Sequence, residues 1–118
     1  MEKLTFQEEE VMLVIWQLES GVIKEFQRRL SDPETPYTTV ASIVKNLEKK
    51  GFVTSKKHGN VYEYFPKVAE REYKAKFMSG VVQNYFENSY KELVTFFAKE
   101  QKISAEELQE IIKLIEKE

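Results

Sequence analysis

Six side chains in one stretch of the chain share a chemistry: Thr38, Thr39, Ser42, Lys45, Asn46 and Lys49. The first three carry short hydroxyls, and the rest carry ammonium or amide groups. All six can donate hydrogen bonds. On a helix, successive residues are turned by about 100°. Thr38, Ser42, Lys45 and Lys49 then share one side, with Thr39 and Asn46 beside them. Val40, Val44 and Leu47 fall opposite and face inward, flanked by Tyr37, Ala41 and Ile43. Small hydroxyls let the start of a helix approach a groove closely, and short donors there can reach base edges or phosphates. Lysines further along add attraction that is independent of base sequence.

Flanking residues set this helix in place. Ser31-Asp32-Pro33-Glu34-Thr35-Pro36 is dense in turn formers, and Pro36 pre-sets the backbone for a helix start near Tyr37. Gly51 supplies a left-handed stop. Residues 52–57 and 61–65 read as two strands joined through His58-Gly59-Asn60. A helix with a polar, cationic outer face, feeding into a hairpin with Lys56, Lys57 and His58 at its tip, is the layout of a winged helix-turn-helix that binds DNA. The net charge of −2 argues against a generally basic chain. Phosphate recognition depends on where charge sits, however. Lysines 45, 49, 50, 56 and 57 face one acid, Glu48, a local balance of +4. His58 reads either as a surface residue of the wing tip or as a phosphate contact.

The remaining elements position this face. Thr5-Phe6-Gln7-Glu8 has the pattern of a capping box, opening a helix over about residues 6–19. Val11, Met12, Val14, Ile15 and Leu18 recur at helical spacing. Trp16 is expected in the core rather than as a ligand platform. Glu8-Glu9-Glu10 reads as favourable charge at a helix N-terminus rather than a carboxylate site, because adjacent helical residues point apart. Ser20-Gly21 ends this helix, and a short second one runs from Val22 to about Leu30. Beyond Pro66, helical periodicity returns over residues 68–87 and 89–100, and Ser104-Ala105-Glu106-Glu107 opens a last helix. The division expected is residues 1–66 as a DNA-binding domain and 67–118 as three helices. About fifty residues so rich in aromatics make a poor core alone. A homodimer is the natural inference, and a two-fold protein implies a two-fold operator.

Other classes fit poorly. The chain has one histidine, no cysteine, and four glycines that form no phosphate-cradling motif, so neither an enzyme, a metal site nor a cofactor is expected. No apolar run approaches the roughly eighteen residues needed to cross a bilayer, and the N-terminus lacks a secretory pattern. A soluble cytoplasmic protein is expected. The competing reading is a winged-helix protein-interaction module without a DNA partner, since fold alone does not settle function.

The ordering of these pieces, and several words within them, resemble the penicillinase-repressor family, which includes the methicillin-resistance regulators. The words are Leu4-Thr5-(x)4-Glu10-Val11-Met12-(x)3-Trp16, Tyr37-Thr38-Thr39-Val40, Leu47-Glu48-Lys49-Lys50-Gly51-Phe52-Val53, Tyr62-Glu63-Tyr64 and Ile103-Ser104-(x)2-Glu107-Leu108. The resemblance implies a mainly α fold with a small hairpin: an N-terminal winged helix-turn-helix followed by a C-terminal helical dimerisation domain. It also implies a homodimeric repressor on palindromic operators of antibiotic-resistance or related genes. In the family, a membrane sensor-protease cuts an Asn-Phe bond in the C-terminal domain. The corresponding place here is Phe96-Phe97, where the phenylalanine matches and the asparagine is absent. The paired cysteines of the family's copper-responsive branch are also absent, which excludes copper sensing.

Overall fold

The computed structural model describes residues 1–117. It contains six helices and one two-stranded antiparallel sheet: α1 (Phe6–Leu18), α2 (Ile23–Arg29), α3 (Tyr37–Lys49), β1 (Val53–His58), β2 (Val61–Pro66), α4 (Glu70–Tyr85), α5 (Tyr90–Lys99) and α6 (Ala105–Glu116). The chain divides into two compact units, Met1–Tyr73 and a second that begins at Lys74.

The first unit is held together by apolar faces meeting at one centre. α1 starts on a complete capping box: the Glu8 N–H donates to Thr5 Oγ1 (3.1 Å), and the Thr5 N–H donates to Glu8 Oε1 (2.9 Å). It turns Val11, Met12 and Ile15 inward, where they are essentially inaccessible to water. Phe26 of α2, Val40, Val44 and Leu47 of α3, and Phe52 join them. Each such side chain contributes about 1.5–3 kcal/mol through burial. Trp16 lies in this core as expected, and its indole N–H donates to the Val68 carbonyl (2.8 Å). Tyr73, in the first turn of α4, packs tilted against Trp16 and edge-to-face against Phe52, each with ring centroids 5.6 Å apart, and its hydroxyl donates to Glu9 (2.9 Å). Burial, and then the bond to Glu9, hold that phenol above its ordinary pKa.

Two glycines are required for different reasons. Gly51, at φ +81°, follows α3 in a Schellman arrangement: its N–H donates to the Glu48 carbonyl (3.0 Å) and that of Phe52 to the Leu47 carbonyl (2.9 Å). Gly21 instead allows close approach. It pairs with Tyr64, each N–H donating to the other's carbonyl (3.1 and 2.8 Å), so the segment between α1 and α2 lies along β2. A Cβ on Gly21 would stand 2.8 Å from Cε1 of buried Phe26.

In the second unit, Val82 is the only residue fully buried among those described. α5 and α6 start on Ser89 and Ser104, and Ser104 forms the expected capping box with Glu107. Neither helix buries a residue. Val94, Phe96 and Phe97 on α5, and Ile111, Ile112, Leu114 and Ile115 on α6, all stand open to solvent.

Candidate nucleic-acid interface

The face built by α3 follows from its anchoring. Val40, Val44 and Leu47 are wholly buried, and Ile43 nearly so. The rotation of the helix is therefore fixed, and the opposite side must face solvent. Thr38, Ser42, Lys45, Asn46 and Lys49 are exposed, and Thr39 is half-buried beside them. Tyr37 departs from expectation. Helical spacing predicts it flanking the inward face, yet the residue is 48% exposed. As the first residue of α3 it lines an open groove with Ile23 and Lys24 of α2 and with Asn60, Tyr62 and Tyr64 of the hairpin.

The hairpin register sets the second half of the face. Val53 pairs with Pro66, Lys56 with Glu63, Lys57 with Tyr62 and His58 with Val61. The turn is thus only Gly59-Asn60. His58 belongs to β1 rather than to the loop, a residue later than the sequence suggests. Gly59 has φ +63° while Asn60 does not enter the left-handed region, the pattern of a II′ hairpin turn. Lys56, Lys57 and His58 are all exposed. The Lys57 ammonium lies 5.9 Å from the centre of the Tyr62 ring, a cation–π contact that keeps its charge near the wing surface.

Two of the basic residues are engaged within the protein. The Lys50 ammonium lies 2.6 Å from Glu8 Oε1 and donates to the Lys3 carbonyl (3.4 Å), which pins the end of α3 to the start of α1. Burial pushes the Glu8 carboxyl up. The Lys50 hydrogen bond and charge, with both Thr5 bonds, outweigh it and leave the carboxyl below its ordinary value. Lys50 therefore belongs to the scaffold, and the exposed lysines of the cluster are Lys45, Lys49, Lys56 and Lys57. His58 Nε2 lies 3.0 Å from Glu63 Oε1, and Glu63 Oε2 accepts from Ser20 (3.1 Å), so the imidazole is tied to the base of the wing. The one acid within the cluster, Glu48, accepts from Ser55 (2.8 Å), joining α3 to β1.

Sequence reasoning missed the Glu8–Lys50 pair and the Ser20–Glu63–His58 chain, since their partners lie 42, 43 and 5 residues apart with no periodic signal. It also missed the aromatic wall of Tyr37, Tyr62 and Tyr64; the alternation of Tyr62 and Tyr64 on one strand was the available clue. Among the described residues, no group of His, Asp or Glu side chains could hold a metal ion. No described helix is long and apolar enough to cross a membrane.

A family model described as penicillinase repressor matches residues 4–117 of this chain. The chain belongs to the penicillinase repressor family. It is 26% identical to the methicillin resistance regulatory protein MecI of Mammaliicoccus sciuri, over 92% of this chain and 89% of that protein. It is 28% identical to the penicillinase repressor of Bacillus licheniformis, over 91% and 84% respectively. The solution structure of the DNA-binding domain of the repressor BlaI aligns with a TM-score of 0.52 and 34% identity, over 62% of this chain and 94% of that domain. The family is one of repressors, not enzymes, and the fold with its hairpin wing is the winged-helix fold of these proteins.

Proposed function

We propose that this protein is a transcriptional repressor that binds a palindromic operator as a homodimer in the cytoplasm. The observation that carries the reading is the division of α3: a fully buried side that fixes its rotation, and an opposite side of exposed hydroxyl, amide and ammonium groups beside a wing with two exposed lysines. Thr38, Thr39, Ser42 and Asn46 read base edges in the major groove, with side chains short enough for close approach. Lys45 and Lys49, on the same side of the helix, hold phosphates along it, and Lys56 and Lys57 hold those beneath the wing. His58 reaches a phosphate only by leaving Glu63. The likeness to the BlaI DNA-binding domain supports the same use of this face.

The dimer is supported by the second unit. α5 and α6 bury nothing, while seven large apolar side chains on them stand exposed. A second copy covers such faces with least cost, and residues from Lys74 onward form the dimerisation domain, joined to a DNA-binding domain through α4. The genes controlled are of the antibiotic-resistance type or related, as the names of the relatives suggest. Relief by a membrane sensor-protease would act at Phe96-Phe97. Both rings are exposed, at 47% and 38%. This bond lies within α5, so cutting it requires local unwinding of that helix.

The test is a gel-shift of the full chain on a duplex spanning the region upstream of its own gene, with an unrelated duplex as competitor. A retarded species that survives the competitor and disappears on addition of salt is expected. Equal competition by both duplexes would remove sequence-specific repression from the account.

A further inference from the structure

Between the two halves of the proposed DNA face lies a groove of about 350 Å³ that neither half accounts for. Ile23 and Lys24 of α2 form one wall, Tyr37 stands at the start of α3, and Asn60, Tyr62 and Tyr64 of the hairpin close the other side. The Gly21–Tyr64 pairing sets its geometry, because it holds the start of α2 alongside β2.

Three observations bear on the occupant. The polar groups lining the groove are an ammonium, phenol hydroxyls and an amide, and no carboxylate is among them. Three acids close by are engaged elsewhere: Glu25 accepts the Val22 N–H (3.1 Å), Glu63 is held by Ser20 and His58, and Glu48, whose charge is felt by Tyr64, accepts from Ser55 (2.8 Å). Tyr37, Val61 and Tyr62 remain 48%, 52% and 46% exposed, too open for walls that must bury most of a small ligand. The groove is also continuous with the hydroxyl-bearing start of α3 at one end and the basic wing at the other. A duplex strand engaged by both elements would run along it.

We propose that this groove holds a sugar–phosphate stretch of the bound duplex. Lys24, Tyr37, Asn60 and Tyr62 donate to phosphodiester oxygens, and the tyrosine rings pack against deoxyribose. These contacts position the protein without reading sequence, so they act on any duplex. They make α2 and the inner face of the wing part of the interface, outside the row of residues on α3 and the wing tip. The inference rests on the DNA-binding reading above.

The test measures fluorescence anisotropy of the full chain on a mixed-sequence 24-base-pair duplex and on the upstream duplex, over a salt series. The variants are Lys24→Gln and Tyr62→Phe, with Lys102→Gln, in the segment between α5 and α6, as control. Lys24→Gln is expected to weaken both duplexes by about threefold to tenfold and to flatten log K against log salt by about 0.9 per protomer. Tyr62→Phe, which removes one donor and keeps the ring, is expected to weaken both about threefold at unchanged slope. Circular dichroism identical to wild type excludes a folding effect. Should both variants bind like Lys102→Gln while wild type still binds in a salt-sensitive way, the groove is not a backbone site and only this inference falls. Should wild type bind neither duplex, the DNA-binding reading falls with it.

Discussion

The pair that joins the two ends of the scaffold offers a sharp test, because removing Lys50 should change how Glu8 responds to pH. At 2.6 Å and an effective dielectric of about 20, the attraction is of order 6 kcal/mol before solvation costs. Removing water from both charges offsets much of that. In Lys50→Met, Glu8, 6% exposed, keeps the Thr5 N–H and loses the cation paired with it. Breaking a buried pair costs about 3–5 kcal/mol, and the 21% exposure of Lys50 lowers the expectation here to about 2–3 kcal/mol at neutral pH. In wild type the Glu8 carboxyl is held below its ordinary 4.5. Its stabilising contribution is therefore complete above 4.5 and is lost as pH falls through the lower folded value. In the variant only the Thr5 bonds still oppose burial, so the carboxyl titrates higher than in wild type and acid relieves an unpaired buried charge. The stability gap should shrink by about 1 kcal/mol or more between pH 7 and pH 4, one pKa unit corresponding to about 1.4 kcal/mol. Urea unfolding followed by Trp16 fluorescence reads this unit directly, since the indole lies in its core. A gap below about 0.5 kcal/mol at pH 7, or one that does not change with pH, would refute the reasoning.

Further outcomes follow from the same structure. Gly21→Ala drives a Cβ to 2.8 Å from Phe26, which has no free space to yield, and should cost about 1–3 kcal/mol by urea unfolding. Gly51→Ala meets nothing within 4 Å and should cost only the left-handed conformation, about 1 kcal/mol, with Gly51→Asn milder. Ile112→Asp combined with Ile115→Asp, at positions 49% and 69% exposed, should leave helix content unchanged while sedimentation velocity shifts from dimer to monomer; a persistent dimer would place its interface elsewhere. Lys49→Gln should flatten the salt dependence of operator binding by about 0.9 per protomer without changing which duplex is preferred.

The elements were legible in the sequence wherever local chemistry decides them. Thr5 and Glu8 announced the start of α1, Ser104 and Glu107 that of α6, and Gly51 the end of α3, each within a turn of its partner. The buried side of α3 was legible too, because Val40, Val44 and Leu47 repeat at helical spacing. Tyr37 was misplaced because periodicity assumes that a helix is covered along its whole length, and its first residue is not. His58 was assigned to the turn because His-Gly-Asn all suit loops, whereas strand pairing with Val61 carries β1 one residue further. Contacts between residues far apart in sequence left no pattern to read. Counting Lys50 with the DNA-facing charges followed from that, since nothing local reveals Glu8 42 residues away.

In the function proposed, α3 and the wing form one phosphate-holding, base-reading face in each of two copies. The most direct measurement is the affinity of the full chain for its upstream duplex across a salt series. Lys45, Lys49, Lys56 and Lys57, doubled in the proposed dimer, would make about eight phosphate contacts and a log–log slope near −7, and Lys24 of the groove would steepen it to about −9. Affinity should then fall by about 10³- to 10⁵-fold between 50 and 200 mM salt, and Ser42→Ala should change the ranking of duplexes more than the slope. A slope near zero, with binding that persists at high salt or never occurs, would contradict the account.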